Sequence, residues 1–316
     1  MALDEATTAY LARVAQAGGR PVQEGTPQQA RVLYAARRAL IGPGPEMASV
    51  REDVLATAGD EQIRVRTLVP HGQVRAVIIY YHGGGWTIGD IDDFDALGRT
   101  IAARLRAAVI MVDYRLAPEH RYPAAVDDAM TALNWASGRA AGIAGHAVPL
   151  IVMGDSAGGN LAAVATLRAR EAGGPRIDGQ VLIYPVTDAD FGNATYSDPD
   201  NRLVLSRESM MWFWDQYLPD PARRGEPDAS PLRAASLAGL PPAIVLTAEH
   251  DVLRHEGEAY AERLRADGVP VTVRRFAGQM HGFVALVTIL PGSADAIDFL
   301  ADELDAALLA SPPGQR

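Results

Sequence analysis

The apolar positions of the chain change period along its length. Tyr10, Leu11 and Val14, then Val32, Leu33, Ala36 and Leu40, recur at helical spacing, which predicts one or two helices before the breaking run GPGPE at 42–46. VREDVLA and QIRVRTLVP follow, the second alternating in the manner of an exposed antiparallel hairpin. From RAVIIYY onward the rhythm becomes strand, helix, strand. DDFDALGRTIAARLRA reads as a helix, AAVIMVDY as a strand, PAAVDDAMTALNWAS as a helix with Pro123 in its first turn, and VPLIVM as the next strand. QVLIYP, PAIVLTAE and VTVRRF are further apolar or β-branched runs, with helices expected at about 256–267 and 293–309. Near-continuous apolar strands alternating with helices predict an α/β fold: a mostly parallel sheet covered on both faces, with the leading hairpin at an antiparallel edge.

One segment interrupts this rhythm. TDADFGNATYSDPDNRLVLSRESMMWFWDQYLPD lies between two strands and is too long for a simple loop. Its part SRESMMWFWDQYL predicts a helix, with Ser206 and Ser209 competing for the cap. Met210, Met211, Trp212, Phe213, Trp214 and Tyr217 concentrate apolar bulk there. Such a helix either packs on the core or, with the N-terminal helices, roofs a cleft.

Composition then narrows the chemistry. The 29 basic residues of the 316-residue chain are all arginine, which rules out Schiff-base chemistry, a Ser–Lys dyad and a phosphate-loop lysine. Cysteine is absent too, so disulfides, thiol catalysis and cysteine metal sites are excluded. A net charge of −10 and a pI near 5.2 argue against nucleic-acid or anionic-membrane partners. The acidic N-terminus lacks the basic-then-apolar pattern of a secretory signal, and no apolar run reaches the roughly 18 residues of a membrane span. The expectation is a soluble, cytoplasmic protein.

Within that frame one turn stands out. In PLIVMGDSAGGNLAAVATLRARE an apolar strand breaks at Gly154-Asp155-Ser156-Ala157-Gly158 and a helix begins at once. An isolated G-x-S-x-G is a weak signal. Between a strand and a helix it becomes the pattern of a serine held out on a strained turn, with the helix's free N–H groups aimed beside it. The turn lacks the G-x-G-x-x-G spacing of a phosphate cradle.

A nucleophilic serine needs a base, and the base needs an orienting acid. His281 lies in a glycine-flanked loop after the last strand; His250 and His255 are alternatives that adjoin an acid candidate, while His71, His120 and His146 read as surface residues. Asp188 and Asp251 both follow strands, where open sheets place their chemistry, and position favours Asp251. Upstream, YYHGGGWTIGD puts three glycines directly after a strand, a run that lets main-chain N–H groups converge on a developing oxyanion. His82 reads as a brace for this loop.

HGGGW at 82–86, DYRLAPEHRYPAAVDD at 113–128, GDSAGGN at 154–160, AEHDVLRHEG at 248–257 and HGF at 281–283 together resemble the hormone-sensitive-lipase-like branch (bacterial family IV) of the α/β-hydrolases, most of whose microbial members are carboxylesterases. The resemblance spans nearly the whole chain and implies the α/β-hydrolase fold: an eight-stranded, mostly parallel sheet flanked by helices, with a helical cap. It implies cap helices at 1–45, a core at 46–186 and 219–316, and a cap insertion at 187–218. It further implies a serine esterase with Ser156, His281 and Asp251 as nucleophile, base and orienting acid. Ala157, Gly84 and Gly85 would form the oxyanion hole, Gly84 and Gly85 being preferred to Gly83 by analogy with related esterases, and His82 and Gly83 would support that loop. Trp86, Asp155, Met211, Trp212 and Trp214 are the pocket candidates. No cofactor or metal is expected; the expected partner is a small-molecule ester, and a homodimer follows by family analogy. The same triad would serve an amidase, a lactonase or an acyltransferase, and a binding module of this fold is the reading of a different class. One departure is His255, where the family commonly carries an acidic residue.

Overall fold

A computed structural model describes residues 2–18, 20–57 and 61–307. Eight strands form one sheet: β1 Ser49–Ala56, β2 Gln62–Val69, β3 Ala76–Tyr81, β4 Ala107–Asp113, β5 Leu150–Asp155, β6 Gly179–Ile183, β7 Ala243–His250 and β8 Val271–Met280. Their order is β1-β2-β4-β3-β5-β6-β7-β8. β2 runs antiparallel to both β1 and β4, and every other pairing is parallel. The hairpin thus forms the expected antiparallel edge, but only β2 opposes the common direction.

The helices are α1 Glu5–Gln16, α2 Pro27–Ala35, α3 Arg38–Ile41, α4 Asp95–Leu105, α5 Ala124–Ser137, α6 Ala140–Ala144, α7 Ala157–Ala172, α8 Ala194–Ser197, α9 Arg207–Tyr217, α10 Arg254–Ala266 and α11 Pro291–Ala307. Positions 308 and 309 of the last expected helix lie outside the described residues. Pro123 stands at the cap of α5, one residue before the first turn.

Strands β3 and β5 are buried at every position, as central strands covered on two faces must be. The period of two divides β3 between two cores: Val77, Ile79 and Tyr81 pack with α5 and α7, while Ala76, Ile78 and Tyr80 pack with α4 and α11. All parallel strands therefore end at one rim of the sheet, and the loops that follow β3, β5, β7 and β8 meet there.

The N-terminal helices form as the helical spacing predicts, with part of their apolar pattern left at the surface. Val32 and Leu33 of α2 and Leu40 of α3 are largely exposed, and α2 is held to the body by polar contacts. Arg31 donates to Thr87 O at 2.8 Å and Ala117 O at 2.9 Å and pairs with Glu119 at 2.6 Å. Thr26 and Gln29 close a capping box at the start of α2. Ser206 and Ser209, rival caps in the sequence, share the task in α9: Ser206 is the cap, and Ser209 reaches back to the Ser206 N–H. Among the described residues no helix is long and apolar enough to cross a membrane.

Candidate active site

Ser156 sits between β5 and α7 with φ 55° and ψ −118°, in the left-handed half of backbone space that a side chain rarely adopts. Its backbone is held from several sides: Ser156 N donates to Ile183 O at 2.8 Å, while Asn160 N and Val186 N donate to Ser156 O. The turn packs against the end of β3 so closely that a Cβ on Gly158 would run into the Tyr81 carbonyl. Glycine is needed there for space rather than for φ.

Ser156 Oγ lies 2.9 Å from His281 Nε2, and His281 Nδ1 lies 2.7 Å from Asp251 Oδ2. With Nδ1–H donating to the carboxylate, Nε2 is left to accept from the serine hydroxyl. Asp251 is 1% exposed, and its other oxygen accepts from Leu253 N at 2.9 Å, which fixes the plane of the carboxylate. Asp251 follows β7 and His281 follows β8, so the chain of bonds crosses neighbouring strand ends. Asp188 lies apart from it, paired with Arg233 at 2.5 Å.

Beside Ser156, the loop after β3 is wired to the same turn. Asp155 Oδ1 accepts from Tyr80 Oη at 2.6 Å and from Gly83 N at 2.7 Å. Burial pushes the Asp155 carboxyl above its ordinary pKa, against the opposing pull of the Tyr80 hydrogen bond. His82 Nδ1–H donates to Gly83 O at 2.7 Å, and its ring stacks on Tyr114 at 4.3 Å, so it braces the loop. Gly84 has φ +112°, and its carbonyl is taken by Thr87 N and Ile88 N. The Gly83 N–H is spent on Asp155, and the loop's next two N–H groups belong to Gly84 and Gly85.

A cleft of about 470 Å³ opens over Ser156, His281, Gly84, Gly85 and Asp155. Its walls come from α1 and α2 on one side and from residues 203–213 on the other. Met210 and Phe213 line it, not Met211, Trp212 and Trp214. Successive helical residues turn by about 100°, so 210 and 213 share the inward face of α9 while Met211 is 39% exposed. Trp86 and Trp214 are wholly buried behind the cleft, where Trp86 stacks on Tyr217 at 4.2 Å. Of the pocket candidates, Asp155 alone reaches the lining.

Two contributions escaped the reading of the sequence. Glu256, 2% exposed, accepts from Thr187 N at 2.8 Å and Asp188 N at 3.3 Å, and burial pushes its carboxyl well above the usual range. Nearby, Thr195 Oγ1 donates to Val252 O at 2.6 Å, tying the inserted segment to the Asp251 loop. The exposed His255 leaves that support to its neighbour. The available signal was the inward spacing of Val252, Leu253, Glu256 and Tyr260. Tyr34 of α2 and Arg37, which precedes α3, also line the cleft, and the sequence reading gave neither a role.

A model of the α/β-hydrolase fold matches residues 78–285. Carboxylesterase NlhH of Mycobacterium tuberculosis is 41% identical over 223 residues, 70% of each chain. The ethyl acetate hydrolase of Pseudomonas putida is 33% identical over 98% of this chain and 100% of its own. Among solved structures, the ester hydrolase EH1AB1 from the metagenome of Lake Arreo, in complex with a bipyridine phosphonate derivative, superposes with a TM-score of 0.89 at 37% identity, covering 96% of this chain and 98% of that one. With the fold, the extent of these matches and the shared esterase activity of the relatives, the chain belongs to the hormone-sensitive-lipase-like carboxylesterases of the α/β-hydrolase family and is a carboxylic ester hydrolase.

Proposed function

We propose that the protein hydrolyses short- to medium-chain carboxylic esters by a two-step mechanism through Ser156, His281 and Asp251. The observation that carries this reading is the unbroken series of contacts, 2.7 Å from Asp251 to His281 and 2.9 Å from His281 to Ser156, at the floor of a cleft. His281 Nε2 takes the proton of Ser156 as Oγ attacks the ester carbonyl. The resulting oxyanion faces the N–H groups of Ala157, Gly84 and Gly85, each such donor typically contributing about 3 kcal/mol at the transition state. His281 then returns the proton to the departing alcohol. Water, deprotonated by the same imidazole, attacks the acyl-enzyme and frees Ser156. Asp251 keeps Nδ1 protonated and the ring oriented throughout.

Residues 1–45 and 187–218 act as the cap over a core of 46–186 and 219–316; both capping segments contribute walls to the cleft, which supports that division. A cavity of about 470 Å³ lies in the lower half of the range of small-molecule sites, which favours short and medium acyl chains. The test is Ser156→Ala with p-nitrophenyl butyrate and an active-site-directed fluorophosphonate. Loss of about 10⁴-fold or more in kcat, together with loss of labelling, is expected. Intact hydrolysis by the variant refutes the assignment, and an acyl-length series with an amide and a lactone separates the esterase from its relatives in chemistry.

A further inference from the structure

Arg37 is a cation on the wall of the cleft without a carboxylate partner among the described residues. Its neighbours along the chain show what is unusual about it. Arg31 pairs with Glu119 at 2.6 Å, and Arg38 pairs with Asp90 at 2.7 Å and Asp93 at 2.5 Å. Arg37 forms no ion pair with a carboxylate among the described residues; its Nε is buried without a hydrogen-bond acceptor, and the polar partner of its guanidinium is the Tyr34 phenol. The guanidinium lies over the Tyr34 ring, 4.6 Å from its centroid. The polar groups that bear most on its charge are phenols, those of Tyr34, Tyr10 and Tyr184.

Tyr184 carries the geometry back to the reacting groups. Its ring packs 4.7 Å from the His281 imidazole, and its buried hydroxyl also lacks a partner. Asp155 is the only acidic residue among those lining the cleft, and its Oδ1 is already occupied by Tyr80 and Gly83. The Nε is buried away from the cleft, but Arg37 itself forms part of the cleft wall and brings a positive charge there that no carboxylate balances. What the cleft wall lacks beside Arg37 is an anionic counter-group.

We propose that Arg37 recognises an anion, and that the preferred esters of this enzyme carry a free carboxylate away from the scissile bond, as a monoester of a dicarboxylic acid or an acylated hydroxy acid does. This rests on the esterase reading above and narrows its substrate class. The carboxylate would lie against the guanidinium on the cleft wall. A guanidinium matches a carboxylate in shape and charge, whereas the protein as a whole, at −10, repels one. Selectivity for an anion would thus have to arise locally.

The experiment compares charged and neutral esters within one enzyme preparation. One pair, monoethyl glutarate and ethyl pentanoate, puts the carboxylate on the acyl side. The other, O-acetylglycolate and ethyl acetate, puts it on the alcohol side. The readout is the ratio of kcat/KM, charged over neutral, for wild type, Arg37→Lys and Arg37→Gln; loss of active protein cancels in this ratio. A fall of about tenfold or more in Arg37→Gln for at least one pair, with Arg37→Lys intermediate, is expected. Ratios unchanged within about twofold for both pairs overturn the proposal and leave Arg37 a stacking partner of Tyr34.

Should Arg37→Gln not fold, wild type alone decides. Raising salt lowers the ratio if a cleft cation binds the carboxylate, and raises it if only the repulsive net charge acts. Should wild type cleave no ester of either pair, charged or neutral, the esterase reading has failed instead. Calorimetric titration with glutarate then tests the anion site, with binding weakened about tenfold in Arg37→Gln expected and no binding to wild type overturning it.

Discussion

The bond from Asp155 to the glycine loop offers the sharpest test of how the site is held. Asp155→Ala removes the acceptor shared by the Tyr80 hydroxyl and the Gly83 N–H, bonded at 2.6 Å and 2.7 Å. Tyr80 is fully buried, so its hydroxyl finds no water in exchange. Each buried donor left unsatisfied costs about 1–3 kcal/mol, partly offset because a carboxylate that burial disfavours is removed. A net loss of about 2–4 kcal/mol in urea unfolding is expected. The kinetic effect follows from the position of Gly83. Its N–H tether sets the entry to Gly84 and Gly85, so their donors lose their aim, and kcat for a p-nitrophenyl ester should fall by about 10²–10³ with KM little changed. Asp155→Asn keeps an acceptor oxygen for both donors and should recover most of the stability and most of kcat. The reasoning is refuted if Asp155→Ala retains kcat within about threefold of wild type while the protein remains folded, or if Asp155→Asn is as impaired as Asp155→Ala.

Asp251→Asn keeps the size of the orienting group but no longer enforces a proton on His281 Nδ1, so kcat should fall by about 10⁴ while circular dichroism stays unchanged; activity within tenfold of wild type would remove Asp251 from the proposed mechanism. Glu256 is held with its folded pKa above the unfolded value, so the folded state binds the extra proton and wild-type stability declines as pH rises from the ordinary carboxylate range to that raised pKa. Glu256→Gln preserves an acceptor for Thr187 N and removes the titration. Its stability relative to wild type, measured by urea unfolding from pH 4 upward, should therefore increase with pH and then level off, and a difference that is flat in pH contradicts it.

The alternation of buried strands and helices, the reversed edge hairpin and the interrupting segment were legible because each follows from local periodicity. A strand such as β5, apolar at almost every position, can only be a central strand covered on both sides. The Ser156 turn was legible for the same kind of reason: strand, crowded glycines and helix are contiguous in the chain. The contacts of His281 with Asp251 and Ser156 join positions 30 and 125 residues apart, and no local pattern contains those distances. Chain order and family resemblance pointed to these residues; folding of parallel strands toward one rim is what brings them within hydrogen-bond reach.

Facing is where sequence and structure part most clearly. The sequence established that α9 is a helix and is rich in aromatics, but the rotation of that helix about its axis goes with the packing of Trp214, edge-on, and Tyr217, stacked, against Trp86, which leaves Met210 and Phe213 at the cleft. Likewise the helical spacing of α2 did not say which way it faces: Arg31 docks this helix through main-chain carbonyls of residues 87 and 117, which leaves Val32 exposed and Leu33 at the cleft. The sequence reading assigned no role to Glu256 or Arg37 for the same reason. Local composition determines which elements form; which side chain of an element meets which distant partner is a balance of many nonlocal contacts, and it exists only once the chain has closed.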